Sequence, residues 1–332
     1  MTIRFRRFYT TIFVLVLQPL SHADTLFVSY SSAAGGGGIE QFSLSPQTPG
    51  TVFDLENAPV SSLTVAGNMA YWVSADQVYS DSLADAGGGF GKTPLPSVPF
   101  GGVTVSDLAV DPVTNSYLVG WIAPGFGWFI AQYPLTPNGN FNVFVNATNT
   151  IQGLTVVGNT AYWIEGTNIW SQNLDGTGKT LVQSFTLGNV SLSDLAVDPL
   201  SQTYLLAATS TGLPPLVARY PLTPQSSGQL FAFGNSSTTA LTVSGDRAYW
   251  IDGSSVWSEN LNGTDRTLQE TLPSQFMPTD LAVSLNTPAA APEPASLVLL
   301  GSGLIVLALA SRQYQRKLSR PAQFKPSQSA CL

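Results

Sequence analysis

The sequence has very few of the side chains on which most enzymes depend. Its 332 residues include one histidine, His22, and one cysteine, Cys331, and each lies close to an end of the chain. The long central part therefore has no disulfide, no thiolate nucleophile, no histidine-based triad and no histidine or cysteine metal ligand. These absences exclude many catalytic mechanisms, and we expect a protein that is not an enzyme and has no cofactor.

Basic residues are also scarce in the central part. Between Asp24 and Ala291 there are five basic and nineteen acidic residues, so the net charge of this segment is −14. A surface of this sign repels nucleic acid and anionic lipid. We therefore expect no nucleic-acid partner.

Long helical patterns are absent before Ala295, and repeats take their place. Three similar stretches begin at Leu63, Leu154 and Leu241, at spacings of 91 and 87 residues; the second reads LTVVGNTAYWIEGTNIWSQNLDG. A second pattern, SDLAVDP, begins at Ser106 and again at Ser193, 87 residues later. The two patterns alternate in units of about 40 to 47 residues, which is typical of the four-stranded blades of a β-propeller.

The number of units predicts how the ring closes. Five blades cover residues 63–105, 106–153, 154–192, 193–240 and 241–279. The segments TLFVSY, IEQFSLSP and TVFDL near the N-terminus supply three strands of a sixth blade, and Asp280 to Leu285 supplies its first strand. Closure of this kind removes exposed sheet edges. We predict an all-β, six-bladed propeller over residues 24–286, closed by pairing of its N- and C-terminal strands.

Tyr-Trp pairs recur in three of these units, at Tyr71-Trp72, Tyr162-Trp163 and Tyr249-Trp250. Neighbouring residues on a strand point to opposite faces of the sheet. Each pair therefore places an aromatic ring on both faces, which suits a blade packed between two others. We interpret these rings as core residues, with sugar stacking as the alternative.

The two ends of the chain resemble export signals. Residues 1–23 have a basic start, an apolar run and a small-residue cleavage site at Ala23, as in a secretory signal. After a linker over 287–294, residues 295–311 are uncharged and long enough as a helix to just span a bilayer. The basic segment 312–332 follows and predicts a cytoplasmic tail.

Pro292, Glu293 and Pro294, followed by the apolar segment and a basic cluster, resemble the PEP-CTERM sorting tag. The resemblance implies recognition by an exosortase-type membrane enzyme in a Gram-negative bacterium that makes exopolysaccharide. It also implies export and release to the cell surface or the extracellular space. The alternative is a permanent single-pass anchor.

The repeats resemble the YWTD family of six-bladed propellers, through runs such as AYWIEGTNIWSQNLDGTGKTL. The Thr-Asp that follows Tyr-Trp in that family is replaced here by Val73-Ser74, Ile164-Glu165 and Ile251-Asp252. The resemblance implies an extracellular binding or spacer module, because propellers of this family serve mainly in those roles.

Three aspartates, Asp107, Asp194 and Asp280, open the first strand of alternate blades, and Asp111 and Asp198 close it in two of them. We expect these residues to bind backbone N–H groups at turns. The alternative is a three-fold carboxylate ring that holds a hard cation such as calcium.

One loop departs from the repeat. The stretch WIAPGFGW contains Trp121, Phe126 and Trp128, and its counterpart from Ala207 is not aromatic. A unique aromatic loop on a propeller rim is a candidate ligand site, and local packing is the alternative. The near phosphate-binding loop AGGGFGKT from Ala86 recurs as GTGKT and GTDRT, so we interpret it as a hairpin turn. The glycine run 35–38 is interpreted as a hairpin tip.

Taken together, these patterns predict a non-catalytic binding or scaffold protein, with exopolysaccharide as the candidate partner. A polysaccharide hydrolase or lyase that uses two carboxylates is the second reading, with Glu165, Asp252 and Asp76 as its nearest candidates. A structural spacer of the envelope is the third. A hydrolase should show an acidic pair that is not part of the repeat, in the channel or on one rim.

Overall fold

Six antiparallel sheets of four strands each account for almost all regular structure in the described part of the chain. The computed structural model describes residues 24–44, 48–85, 91–96, 102–136, 140–186 and 190–285. These residues fall within one compact unit, Ala23–Leu285. The predicted signal, linker, membrane helix and basic tail lie outside the described residues.

The sheets are numbered as blades from the N-terminus, and the strands in chain order. Blade 1 contains β1 (Thr25–Ser32), β2 (Gly37–Ser43), β3 (Thr51–Glu56) and the C-terminal β24 (Phe276–Ser284). Blade 2 contains β4 (Val60–Ala66), β5 (Met69–Ser74), β6 (Gln77–Ser82) and β7 (Thr93–Pro94), with a 3₁₀ turn at Leu83–Asp85. Blade 3 contains β8 (Thr104–Asp111), β9 (Ser116–Ala123), β10 (Gly127–Pro134) and β11 (Asn142–Ala147).

The remaining blades follow the same order. Blade 4 contains β12 (Ile151–Val157), β13 (Thr160–Glu165), β14 (Asn168–Asn173) and β15 (Thr180–Ser184). Blade 5 contains β16 (Val190–Asp198), β17 (Thr203–Ser210), β18 (Leu213–Pro221) and β19 (Gln229–Phe233). Blade 6 contains β20 (Thr238–Ser244), β21 (Arg247–Asp252), β22 (Ser255–Asn260) and β23 (Thr267–Thr271).

The ring closes where β24 pairs with β1, with Thr25 opposite Ser284 and Ser29 opposite Asp280. Strand β24 is the innermost strand of blade 1 and contacts the innermost strands of blades 2 and 6. The prediction of a six-bladed propeller, closed by joining the first and last strands of the domain, is confirmed.

Six hydrophobic clusters fill the spaces between adjacent blades. Trp72 lies in the cluster between blades 1 and 2, while its neighbour Tyr71 lies in the cluster between blades 2 and 3. The other two Tyr-Trp pairs divide in the same way. The interpretation of these pairs as core residues on both faces of a buried sheet is confirmed.

The innermost strands begin earlier than the sequence pattern indicated. Strand β4 starts at Val60 rather than Leu63, and β8 starts at Thr104 rather than Ser106. A register shift interrupts the pairing of each innermost strand, for example between Val105 and Asp107. A bulge breaks the alternation of side chains between faces, so the periodic signal begins only after it.

The glycine run is only partly a hairpin tip. Gly35, with φ of 91°, lies in the turn, but Gly37 and Gly38 belong to β2. A Cβ atom on Gly37 would lie 2.6 Å from the carbonyl oxygen of Tyr30. The second half of the run is therefore needed for close packing of two backbones.

The strand order defines two faces of the propeller. Each innermost strand starts at the crossover from the preceding blade, and in blades 2 to 6 it ends at the turn into the second strand. We call the end with the crossovers the crossover face and the opposite end the turn face. Asp24 and Leu285 flank the paired ends of β1 and β24, so both ends of the domain lie on the turn face.

Candidate functional site: the central channel and its rim

The innermost strands surround a central channel with a volume of about 400 Å³. Its lining extends from Asp107, Asp194 and Asp280 towards Pro199 at the turn face. Each of these aspartates comes directly after the bulge of its strand, so the same local feature positions all three. The structure thus places the three predicted carboxylates together at one end of the channel.

Each of the three carboxylates accepts two backbone N–H groups. One comes from the leucine that follows in the same strand, at 2.7 Å in every case. The other comes from a leucine of the next blade, at 2.6 Å in every case: Leu154 for Asp107, Leu241 for Asp194 and Leu63 for Asp280. The aspartates therefore join blade 1 to 2, blade 3 to 4 and blade 5 to 6.

Turn capping was expected of all five aspartates, but the structure shows it for Asp111 and Asp198 and not for the three at the channel. Asp111 accepts the N–H groups of Val113 and Thr114, and Asp198 accepts those of Leu200 and Ser201. Among the described residues, no group of three or more histidine, cysteine, aspartate or glutamate side chains is arranged to hold a metal ion.

Burial makes the three channel carboxyls hard to ionise. Loss of water raises the pKa of Asp107 and raises that of Asp194 well above its usual range. The same desolvation, together with the charge of Asp107, raises the pKa of Asp280 to about 8. The N–H donors act in the opposite direction but do not outweigh the desolvation.

Stability should consequently depend on pH. A carboxyl whose pKa is higher in the folded than in the unfolded chain binds more protons when folded, so the free energy of unfolding falls as pH rises. For Asp280 the window runs from its ordinary value of 3.8 to about 8. We expect urea unfolding to show greater stability near pH 5 than near pH 9, by more than about 1 kcal/mol.

The control for this prediction is Asp280→Asn, which cannot titrate. The variant should show a smaller loss of stability between the same two pH values, whatever its stability at either one. An equal pH dependence in both proteins would contradict the assignment of the effect to this carboxyl.

The three candidate catalytic acids are not brought together. Glu165 accepts the N–H and the hydroxyl of Thr148 in the crossover from blade 3, at 2.7 and 2.8 Å. Asp252 accepts the N–H groups of Asn235 and Ser236 in the crossover from blade 5. Asp76 accepts the N–H of Val105 at 3.2 Å. Each acid holds a neighbouring segment of backbone.

The segment that resembles a phosphate-binding loop, AGGGFGKT from Ala86, contains Lys92, which makes a cation–aromatic contact that recurs in the repeat. Lys92 lies 5.1 Å from the ring centre of Tyr79 and forms an ion pair with Glu56 at 2.8 Å. Its counterparts Lys179 and Arg266 lie over Trp170 and Trp257, at 4.7 and 4.8 Å. The shared contact supports the interpretation of this slot as part of the repeat, while residues 86–90 lie outside the described residues.

The aromatic loop does not form a single surface. Trp121 is only 1% exposed and packs in the cluster between blades 2 and 3, so the structure excludes it from the rim. It pairs with Phe129, whereas Trp128 pairs with Ile122, faces the opposite side of the sheet and packs towards blade 4. Only Phe126, at the tip of the turn, is widely exposed, at 82%.

Sequence reasoning missed the residues at the channel mouth on the crossover face. Each innermost strand has one exposed residue at or just before its bulge: Ser61, Thr104, Gln152, Ser191, Thr239 and Met277. None of the six carries a charge, and five carry a hydroxyl or an amide group. The signal was present, since each lies two residues before a repeated leucine or three before a repeated aspartate. It was overlooked because the strands were expected to start later.

Sequence reasoning also missed an acidic pair outside the repeat. Glu40 and Glu270 line a groove of about 550 Å³ between blades 1 and 6, together with Phe42 and Pro273. Desolvation, followed by the charge of Glu270, raises the pKa of Glu40. At the positions equivalent to Glu40, the other two blades of its type have the buried alanines Ala131 and Ala218.

Comparisons with known proteins agree with this architecture. Residues 290–313 match the PEP-CTERM protein-sorting motif. No curated protein matches the chain. A crystal structure of a nidogen/laminin complex contains a chain with a TM-score of 0.65 and 16% identity, over 80% of this chain and 99% of that one. The structure of putative TolB from Agrobacterium tumefaciens has a TM-score of 0.58 and 13% identity, over 77% of this chain and 91% of that chain. The crystal structure of TolB from Acinetobacter baumannii has a TM-score of 0.57 and 11% identity, over 78% of this chain and 66% of that chain.

These findings define the class of protein. The chain is a six-bladed propeller that shares its fold with these solved structures, and it carries a PEP-CTERM sorting motif towards its C-terminal end. The motif indicates export, recognition by an exosortase-type enzyme and membrane-anchored sorting before processing. Among the described residues, no helix is long and apolar enough to cross a membrane. The predicted membrane helix at 295–311 lies outside them.

Proposed function

We propose that the protein is a non-catalytic binding or scaffold module of the cell surface or extracellular matrix, and that its ligand is a neutral exopolysaccharide. The observation that carries this proposal is the uncharged ring at the channel mouth. Hydroxyl and amide groups both donate and accept hydrogen bonds, which is what the hydroxyl groups of a sugar require. The net charge of −14 over residues 24–291 disfavours an anionic polymer.

The use of the acids supports a role in binding rather than catalysis. Asp107, Asp194, Asp280, Glu165 and Asp252 all hold backbone N–H groups of a neighbouring blade or crossover. A general acid or base must be free to exchange a proton with a substrate. These five carboxylates instead serve the propeller itself.

Binding should depend on the channel mouth. The double variant Gln152→Ala with Thr239→Ala removes two polar groups of the ring, and each hydrogen bond contributes about 0.5 to 1.5 kcal/mol. We expect the affinity of the exported segment for a bound polysaccharide, first identified on a glycan array, to fall by about tenfold.

The matched control is Asn68→Ala with Asn159→Ala, which removes two exposed polar side chains from the turn face of blades 2 and 4. This variant should bind as tightly as the unaltered protein. Equal losses in both variants, or no binding to any neutral polysaccharide, would contradict the proposal.

A polysaccharide hydrolase is the second candidate, and the Glu40–Glu270 groove is the observation that favours it. A carboxyl with a raised pKa beside a second carboxyl is the arrangement that glycoside hydrolysis uses. A reducing-sugar assay on the same polysaccharides separates the two candidates. Turnover that disappears in Glu40→Gln and in Glu270→Gln would establish the hydrolase and overturn the proposal of a non-catalytic module.

A further inference from the structure

One lysine and two acids meet where the outermost strands of blades 1 and 2 adjoin. Lys92 Nζ lies 2.8 Å from Oε1 of Glu56 and 3.5 Å from Oδ2 of Asp54. Asp54 is 1% exposed, and its Oδ2 accepts no hydrogen bond within the described part of the chain. Trp72 donates its Nε1–H to Oε1 of Glu56 at 2.7 Å, and Lys92 lies over the ring of Tyr79. An amine is thus held against a buried carboxyl group, with a second carboxylate in contact with the amine.

The propeller repeat does not require these two acids. Strand β3, which contains Asp54 and Glu56, corresponds to β11 and β19, because each of the three has a phenylalanine that meets the tryptophan of the next blade edge-to-face. At the positions of the two acids, the other two strands have only alanine, valine or glycine: Val145, Ala147, Ala232 and Gly234. The acids are therefore additions to one blade, and the packing of the repeat gives no reason for them.

The equivalent lysine of blade 4 shows what the repeat alone provides. Lys179 lies over the ring of Trp170 and forms an ion pair with Glu165 at 3.8 Å. Within the described residues it has no second acidic partner. An amine between two carboxyl groups is thus particular to blades 1 and 2, and Lys179 is an internal reference for any chemistry at Lys92.

The outer edge of blade 2 has little hydrogen bonding to hold it. Its fourth strand, β7, contains only Thr93 and Pro94, whereas the fourth strands of the other blades contain five or six residues. Proline has no N–H to donate, so this strand is held weakly. Residues 24–291 contain no cysteine, so a disulfide cannot fix it. Because Lys92 directly precedes β7, a covalent bond from its amine to blade 1 would anchor this edge.

We propose that Lys92 and Asp54 condense to an intramolecular isopeptide bond, with Glu56 as the group that carries the protons. The Lys92 ammonium gives one proton to Glu56, and the neutral amine attacks Cγ of the protonated Asp54 carboxyl. The hydroxyl of that carboxyl takes the proton back from Glu56 and leaves as water. Glu56 then accepts a second proton from the nitrogen and passes it to the solvent. One N–C bond forms, one C–O bond breaks, and no electrons are gained or lost.

The surroundings favour one requirement of this reaction and slow another. Desolvation raises the pKa of Asp54 and outweighs the nearby ammonium, so the carboxyl keeps the hydroxyl that must leave. Desolvation lowers the pKa of Lys92, but the hydrogen bond to Glu56 and the charges of both acids outweigh it, and the net shift is upward. The neutral amine is therefore scarce and the reaction slow. A single turnover is sufficient, because the fold keeps the amine and the carboxyl at near contact.

Mass spectrometry of the full chain tests the bond, after the folded protein has been incubated to constant mass and then denatured. We expect a mass below that calculated from its own termini by one water molecule. Trypsin should cut after Lys179 but not after Lys92, because an amine in an amide has lost its charge. A succinimide at Asp54 also loses water but leaves Lys92 cleavable. An undiminished mass, or full cleavage after Lys92, would overturn the proposal. The measurement requires no polysaccharide, so its outcome is independent of the proposed ligand.

A matched pair of variants tests the role of Glu56. Glu56→Gln still accepts a hydrogen bond from Trp72 but cannot take up a proton, so it should keep the full mass and be cut after Lys92. Glu165→Gln makes the same change beside Lys179 and should lose one water, as the unaltered protein does. Circular dichroism checks that both variants fold. Loss of water in Glu56→Gln would overturn the role of this acid.

Asp54→Asn is a second test, which keeps the proton carrier and changes the leaving group. Condensation of Lys92 with a side-chain amide releases ammonia instead of water and gives the same isopeptide bond. The final mass should therefore equal that of the unaltered protein after its own reaction, and trypsin should again fail to cut after Lys92. A variant that folds, keeps its full calculated mass and is cleaved after Lys92 would contradict the assignment of Asp54 as the partner.

Discussion

Leu281→Asp is expected to unfold the propeller. Leu281 is 3% exposed in the cluster between blades 1 and 6, and it belongs to β24, the strand that closes the ring. An unpaired carboxylate at such a site costs several kcal/mol, against a total stability of about 5 to 15 kcal/mol for a typical domain. Far-ultraviolet circular dichroism and the yield of soluble protein measure the result.

The control for this prediction lies on the same strand. Met277 is 63% exposed, so Met277→Asp adds the same charge to β24 without burying it. This variant should fold with a stability close to that of the unaltered protein. If Leu281→Asp were as stable as Met277→Asp, closure by β24 would not be what holds the ring together.

Trp250→Ala is expected to lower the free energy of unfolding by about 3 to 5 kcal/mol. The side chain of Trp250 is fully buried between blades 5 and 6, where it meets Phe231 edge-to-face at 6.2 Å and Arg266 at 5.1 Å. Its removal leaves a large cavity in one of the six interfaces. Urea unfolding followed by circular dichroism gives the value.

Trp257→Ala is the matched comparison, because Trp257 also contacts Arg266 but is only partly buried. We expect a loss of less than half that of Trp250→Ala, since less apolar area becomes exposed. Similar losses in the two variants would indicate that the contact with Arg266, rather than burial between the blades, sets the stability.

The architecture was predictable because the repeat is direct. The spacing of the Leu-Thr-Val and Ser-Asp-Leu-Ala-Val patterns gave the number of blades, and the leftover strands at the two ends indicated how the ring closes. The Tyr-Trp pairs showed that both faces of a blade are buried, because adjacent residues on a strand point in opposite directions. The structure confirms each of these predictions.

The candidate site was less accessible from sequence. The repeat placed Asp107, Asp194 and Asp280 at equivalent positions, but it could not show that each carboxylate binds a leucine of the next blade. Trp121 and Trp128 look like one aromatic group in the chain, yet they face opposite sides of a sheet. The Glu40–Glu270 pair joins residues that are 230 positions apart, and only closure of the ring brings them together.

The sequence by itself determined the number of blades, the residues of their cores and the sorting motif, because these depend on local periodicity and on short contiguous patterns. The tertiary structure decided which side chains surround the channel mouth, which acids are occupied by backbone N–H groups and which face carries both ends of the domain. Those features depend on bulges and on contacts between blades, and a bulge shifts the register without leaving a periodic signal in the chain.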